Sequence, residues 1–257
     1  LTLVLPAGLS TVGYWIEQLV AESTGKEGRG IVPIEGESLG DPSVYGADRL
    51  FVAIGDNPAL APLEAAGHPV VRLPYTDPYQ LGAEFFRWEF ATAIAGQILQ
   101  VNPFDQPDVQ EAKAATAAIL NGRAANATTP DLAETLAAVQ PGDYIAITAY
   151  LPRNAQTIAR LDAIRLTLRD RHRVATTVGF GPRFLHSTGQ LHKGGGNNGV
   201  FIQVVGDGSV DLAIPGKEYT FGQLVAAQAL GDLSSLSALG RRVTRVTLGG
   251  LETGISG

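Results

Sequence analysis

The sequence contains no cysteine and no methionine, not even at position 1. The first absence excludes disulfides, thiolate nucleophiles and cysteine-held metals, and fits a reducing, cytoplasmic compartment. The second, in a chain that opens directly on the strand-like run Leu1-Thr2-Leu3-Val4-Leu5-Pro6, reads as a piece of a longer polypeptide. No apolar run is long enough to cross a membrane, since each is interrupted by Gly, Gln or Thr. No basic segment precedes an apolar one in the manner of a secretory leader. Nor is there a basic stripe: the net charge is −6 with both signs interspersed, which argues against nucleic acid as a partner. What is present is 257 residues, 45% hydrophobic and 17% charged, enough for one large core or two small ones.

Strand-like and helix-like stretches alternate. Residues 1–5 read as a strand buried on both faces, and Ser10 as the N-cap of a helix reaching about Ser23, with Val12, Ile16, Leu19 and Val20 at helical spacing. Strands are expected over 31–34, 49–54 and 70–73, with a short helix over 59–66. This beat predicts a parallel sheet with helices on its faces. Residues 80–100 form a long helix, broadly apolar through Phe85, Phe86, Trp88 and Phe90 and therefore expected inside the protein; a second helix spans 107–120. The small, polar stretch 121–130 marks a boundary, giving two domains, 1–122 and 123–257. In the second, helices are expected over 131–139, 157–171 and 221–230 (extending to 239). Strands are expected over 144–150, 174–178, 200–205, 210–214 and 243–248. Arg165, Arg169 and Arg171 crowd the end of one helix, where positive charge suits the macrodipole. Residues 179–196 read as a long glycine-rich loop of the functional or disordered kind.

Three places concentrate polar groups. Glu22 ends a helix and leads into Ser23-Thr24-Gly25-Lys26, where glycine and small hydroxyl residues let backbone approach a ligand while the acid stays fixed at the rim. The alternative is a solvated helix end. Gln106 and Lys113 lie seven residues apart and share a helix face, or Lys113 is an ordinary surface lysine. His186, His192 and Lys193 sit in the glycine-rich loop, where an imidazole can exchange protons near neutral pH and free amides can cradle an anion. No nucleotide-binding fingerprint is present, and the histidines lack a carboxylate or thiol at metal-binding spacing. His68 and His172 look incidental. Ligands of open parallel sheets bind beyond the strand carboxyl ends, and Glu22 and the glycine-rich loop are expected there.

Glu22-Ser23-Thr24-Gly25-Lys26 resembles the E-S-[NT]-G-K segment of phosphoglucose isomerases. Asn102-Pro103-Phe104-Asp105-Gln106 through Lys113 is similar to their N-x-F-D-Q-x-x-V-x-x-x-K signature. The wording around Phe86-Arg87-Trp88-Glu89 and over 183–195 looks closest to the isomerase half of transaldolase–isomerase fusions. The resemblance implies an α/β fold of SIS-type three-layer sandwiches, mostly parallel sheets with helices on both faces. It implies interconversion of glucose 6-phosphate and fructose 6-phosphate through ring opening and a cis-enediol, without metal or organic cofactor. Glu22 would move the proton between C1 and C2, Lys113 would assist ring opening, and Gln106 would reach the substrate. Ser23, Thr24, Gly25, Lys26, Gln190 and Lys193 would line the sugar-phosphate site.

The family's T-N-[GA]-Q-H segment departs from its usual place: 35–50 contain no histidine, and Ser187-Thr188-Gly189-Gln190-Leu191-His192 is a similar phrase further on. That makes His192 the ring-opening residue in a rearranged order. The family's first sugar-phosphate domain has no counterpart here, so the expected partners are a phosphorylated hexose and an upstream part of the polypeptide, a first SIS domain with or without a transaldolase domain. Homo-oligomerisation stays open. Two other readings stand beside this one: a non-catalytic sugar-phosphate-binding SIS module, and an aldolase-type lyase using Lys113 as a Schiff base, which calls for a desolvated lysine on a barrel strand.

Overall fold

The computed structural model describes residues 1–122, 129–206 and 211–256, with the side chains of 108–113 also outside the described set. The first sheet is β1 (Thr2–Val4), β2 (Phe51–Ile54) and β3 (Val70–Leu73), parallel throughout and in that spatial order. The second places β5 (Ala175–Phe180) beside β4 (Tyr144–Tyr150), then β6 (Gly199–Val205) and β7 (Arg242–Thr247), also all parallel.

Helices cover both faces of the second sheet. On one side, α5 (Leu132–Ala137), α6 (Ala155–His172) and α9 (Leu248–Ser256) bury Leu136, Leu161, Leu168, Leu251 and Ile255 against Ile145, Ile147 and Ile202. On the other, α8 (Phe221–Ala238) brings Leu233 and Leu236 onto Tyr144, Phe201 and Val243. In the first sheet, α1 (Ser10–Thr24) and α3 (Leu81–Leu99) pack Ile16, Val20 and Trp88 on Leu3, Val52 and Ile54. The opposite face, Val4, Phe51 and Ala53, meets Leu60 and Leu63 beside α2 (Ala61–Ala65). Burial on both faces is why the strands read as unbroken apolar runs. The protein is thus α/β with parallel sheets and helices on both faces, compatible with an SIS-type three-layer sandwich. α4 (Pro107–Leu120) packs on α8, and the boundary expected at 122/123 adjoins residues outside the described set.

Several expectations change. Within 31–34 only Ile34 pairs, as a single parallel bridge to Thr2. The strand expected over 210–214 begins outside the described residues, and Ala213 makes only a bridge to Thr220. Leu9, not Ser10, caps α1, without a side-chain hydrogen bond. The glycine-rich stretch contains a 3-10 turn (Arg183–Leu185) and α7 (Thr188–Gly194), and the chain continues past β7 into α9. The long helix α3 is not interior on all sides: Phe86, Phe90, Ile94 and Ile98, spaced by one turn, are exposed.

Arginines join the halves. Arg165 of α6 donates to the carbonyls of Glu35 (2.9 Å) and Gly36, and Arg169 to that of Ser38 (2.7 Å). Arg49 holds buried Glu37 at 3.1 Å and reaches the Val174 carbonyl. Arg165 and Arg169 are therefore cross-links between the halves rather than partners of the helix dipole, while Arg171 caps the Ile255 carbonyl at 2.6 Å.

Candidate active site

α1 follows β1 and returns antiparallel to it, so its last turn lies at the amino-terminal edge of the sheets. The segment after it reaches Ile34 beside Thr2, and Gly28 donates to the Gly194 carbonyl just ahead of β6 (2.9 Å). Glu22 and the His192 end of the glycine-rich segment therefore sit at the edge opposite to the strand carboxyl ends, against the expectation from open-sheet topology. The cause is direction: a site carried at the end of a helix rather than on the strand-to-helix loop is returned to the other edge.

Two of the separated motifs converge there. Gln106, N-cap of α4, donates its amide to Oε1 of Glu22 across 84 positions of sequence, and Gln18 Nε2 lies 3.3 Å from Oε2. Both contacts orient the carboxylate, and a carboxylate has roughly four lone-pair sites, so accepting positions stay open. Glu22 and Ser23 are half-buried and Gln106 is exposed. Lys113 falls in α4, but its side chain lies outside the described residues.

The remaining motif residues face inward and hold one another. Thr24 is fully buried; its hydroxyl donates to the Val20 carbonyl (2.7 Å) and accepts from the Ile31 amide (3.0 Å). Lys26, also buried, reaches the Asn102 carbonyl at 2.7 Å and Asp105 at 3.2 Å, tying the Glu22 turn to the loop that carries Gln106. Gly25 is needed for packing: a Cβ there would stand 2.3 Å from Cα of Leu191. Gln190 donates to the Gly25 carbonyl at 3.0 Å, fastening α7 to the same turn. Lys193 pairs with Asp232 of α8 at 2.6 Å, both buried.

His192 is 4% exposed and packs beside the rings of Tyr144 and Phe201, 6.4 and 5.0 Å between centroids. Burial, then the charges of Lys193 and Arg241, lowers its pKa to about 3. A neutral imidazole enclosed by rings is placed as a core group, which departs from the ring-opening part expected of it. His186 is the exposed histidine of the same segment. It follows Arg183, which donates to Glu17 and to the Tyr14 carbonyl of α1, and precedes Gln190 on Gly25, so the segment runs alongside α1 from Tyr14 toward Gly25. Sequence reasoning chose His192 of the two by motif wording, since exposure is invisible in a Gly-rich run.

No protein-family model matches the chain. Similarity to curated glucose-6-phosphate isomerases is present: 27% identity to that of Enterococcus faecalis over 41% of this chain, and 29% to that of Leptospira interrogans over 44%. A shorter stretch, 43 residues, is 51% identical to the Exiguobacterium sibiricum enzyme. The chain spans about a third of those first relatives, 33% and 35% of their lengths. A crystal structure of a hypothetical protein from Thermus thermophilus superposes with a TM-score of 0.40 at 16% identity, covering 99% of this chain and 74% of that one. Among the described residues no helix is long and apolar enough to cross a membrane.

Proposed function

We propose that this chain carries the proton-transferring carboxylate of an aldose–ketose isomerase that interconverts glucose 6-phosphate and fructose 6-phosphate. The observation that carries the reading is the meeting of Gln106 with Glu22: two motifs far apart in sequence, each resembling the same enzyme family, present one carboxylate and one amide at a common surface. The similarity to glucose-6-phosphate isomerases supports it. Glu22 takes the C2 proton of the opened sugar to leave an enediolate, which becomes the cis-enediol as O1 takes up a proton. Glu22 then returns its proton at C1 as O2 gives one up to become the ketone, while Gln106 holds the sugar oxygens in line. Lys113, on the helix that Gln106 opens, assists ring opening. The histidine for that step is better assigned to exposed His186 than to enclosed His192. Thr24, Gly25, Lys26, Gln190 and Lys193 serve by holding the frame, leaving Ser23 beside Glu22 for direct contact. Phosphate binding falls to an upstream part of the polypeptide, which completes the site, in keeping with the third of the relatives' length that this chain spans.

The test is a coupled assay for fructose 6-phosphate isomerisation by the chain alone and with the upstream part of a fusion-type isomerase supplied. Activity should appear on completion and fall about 10²- to 10⁴-fold with Glu22→Gln, the range for loss of a general base. Folded protein that binds sugar phosphate but stays silent in the completed form would instead support a non-catalytic binding module.

A further inference from the structure

At the carboxyl-terminal edge of the sheets, opposite to Glu22, a cleft of about 880 Å³ opens between the two halves. Its walls are the ends of β1 (Leu3, Val4, Leu5) and β5 (Val178, Gly179, Phe180), the start of α1 and the segment 35–39. That volume suits a small metabolite, and the position is where open parallel sheets present ligands. Ser10 and Glu22 are separated by most of α1, about 18 Å along the axis at the ordinary helical rise, so the two places are distinct.

Most charges on the wall are already committed. Glu37 is held by Arg49, Arg165 by Asp162 and two carbonyls, and Arg183 by Glu17 and the Tyr14 carbonyl. Two are not. Arg153 is exposed, lies over the rings of Tyr14 and Phe180, donates to the Tyr14 hydroxyl, and has no carboxylate partner among the described residues. The half-buried Glu35 carboxyl has no hydrogen-bond donor among the described residues. It lies against Gly13, where a Cβ would come within 3.2 Å of its Oε2. The exposed hydroxyls of Ser10 and Thr11 complete a polar rim.

We propose that this cleft is a second ligand site for a small hydroxylated anion, with the anionic group taken by Arg153 and the Ser10 and Thr11 hydroxyls, and a ligand hydroxyl donating to Glu35. The anion is a phosphate or a carboxylate; either accepts from a guanidinium. The groups facing Glu35 are Glu17 of α1, Asp162 and Arg165 of α6, and Arg183. Desolvation first, then repulsion by Glu17, raises its pKa to about 7. An anionic ligand therefore meets a neutral acid below that pH and a repelling carboxylate above it.

The site is testable on the whole chain by following amide resonances of Gly179 and Gly181 for the cleft and of Ser23 for the Glu22 surface. Glucose 6-phosphate, gluconate and glucose serve as probes. At least one of the two anions should shift the glycine amides in the millimolar range, and which one assigns phosphate or carboxylate. Arg153→Ala, at an exposed position, should weaken that binding roughly tenfold, with Arg153→Lys recovering part of it. If gluconate binds, its affinity should fall as pH rises through 7, and Glu35→Gln should flatten the profile. Glu22→Gln should leave the glycine shifts in place, which separates this site from the proposed isomerase centre. Equal binding by uncharged glucose, unchanged affinity in Arg153→Ala, or silence of the cleft toward all three probes would overturn the proposal.

Discussion

At the amino-terminal edge, buried polar side chains are held by partners: Lys26 by Asp105, Gln190 by the Gly25 carbonyl, Lys193 by Asp232, while Glu22, Ser23 and Gln106 stay accessible near the α1 terminus. At the carboxyl-terminal edge, Arg153 and Glu35 face open space. The comparison teaches that a polar residue inside a recognisable motif need not touch a ligand. Burying a lysine or glutamine costs several kcal/mol unless partners are supplied, so the bonding of Thr24, Lys26, Gln190 and Lys193 builds the edge that holds one carboxylate in place. The other edge needs no such frame, because strand ends and loops form its walls directly.

Breaking the frame should have the largest effect on stability. Lys193→Ala leaves Asp232 buried with neither carboxylate oxygen partnered, since Oδ2 already lacks a donor. A loss of about 3–5 kcal/mol is expected in urea unfolding, and the double change Lys193→Met with Asp232→Leu should recover most of it. A double variant as unstable as the single one would show that packing, not the unpaired charge, is the cause. Gly25→Ala should cost about 1–3 kcal/mol, because the added methyl meets the Leu191 backbone rather than a movable side chain. Wild-type stability in that variant would mean α7 is not fastened to the Glu22 turn.

A different kind of effect is a slope with pH, and the slopes run in opposite directions at the two edges. The folded state keeps His192 neutral, with a pKa of about 3 against an ordinary 6.5, so its contribution is present above pH 6.5 and lost as pH falls. Glu35, raised from 4.5 to about 7, binds its proton more tightly when folded, so its contribution is present at low pH and lost as pH rises through 7. Thermal melts should therefore show His192→Gln removing a rise of stability with pH between about 3 and 6.5, and Glu35→Gln removing a fall between about 4.5 and 7. Exchanged or absent changes would contradict the environments described for these groups.

Much of the alternating fold was legible because strands buried on both faces and helices with spaced apolar residues carry their periods openly; 144–150 matches β4 end to end. Two helices were not. Thr188–Gly194 and Leu248–Ser256 contain glycines that read as breakers, and they are held by tertiary contacts of Leu191 with Gly25 and of Leu251 and Ile255 with the second core. The apolar excess of α3 did not tell how many sides are covered, since composition without a one-sided pattern gives no direction. Glu22 and Gln106 stood out by their local setting, a helix end before a glycine turn and a shared helix face, and motif wording gave them roles. The cleft was invisible: Ser10, Glu35, Arg153 and Arg183 come from four separate segments and share no spacing.

The arginines that cross between the halves have a consequence for how the molecule comes apart. Arg49, Arg165, Arg169 and Arg183 each place a guanidinium from one half on carbonyls or carboxylates of the other, and three of them, Arg49, Arg165 and Arg169, are buried. If one half melted, the other would be left with those charges or acceptors stripped of partners, a penalty neither half carries while both are folded. Intermediates with a single intact half are thereby disfavoured, and the two sheets are bound into one cooperative thermodynamic unit.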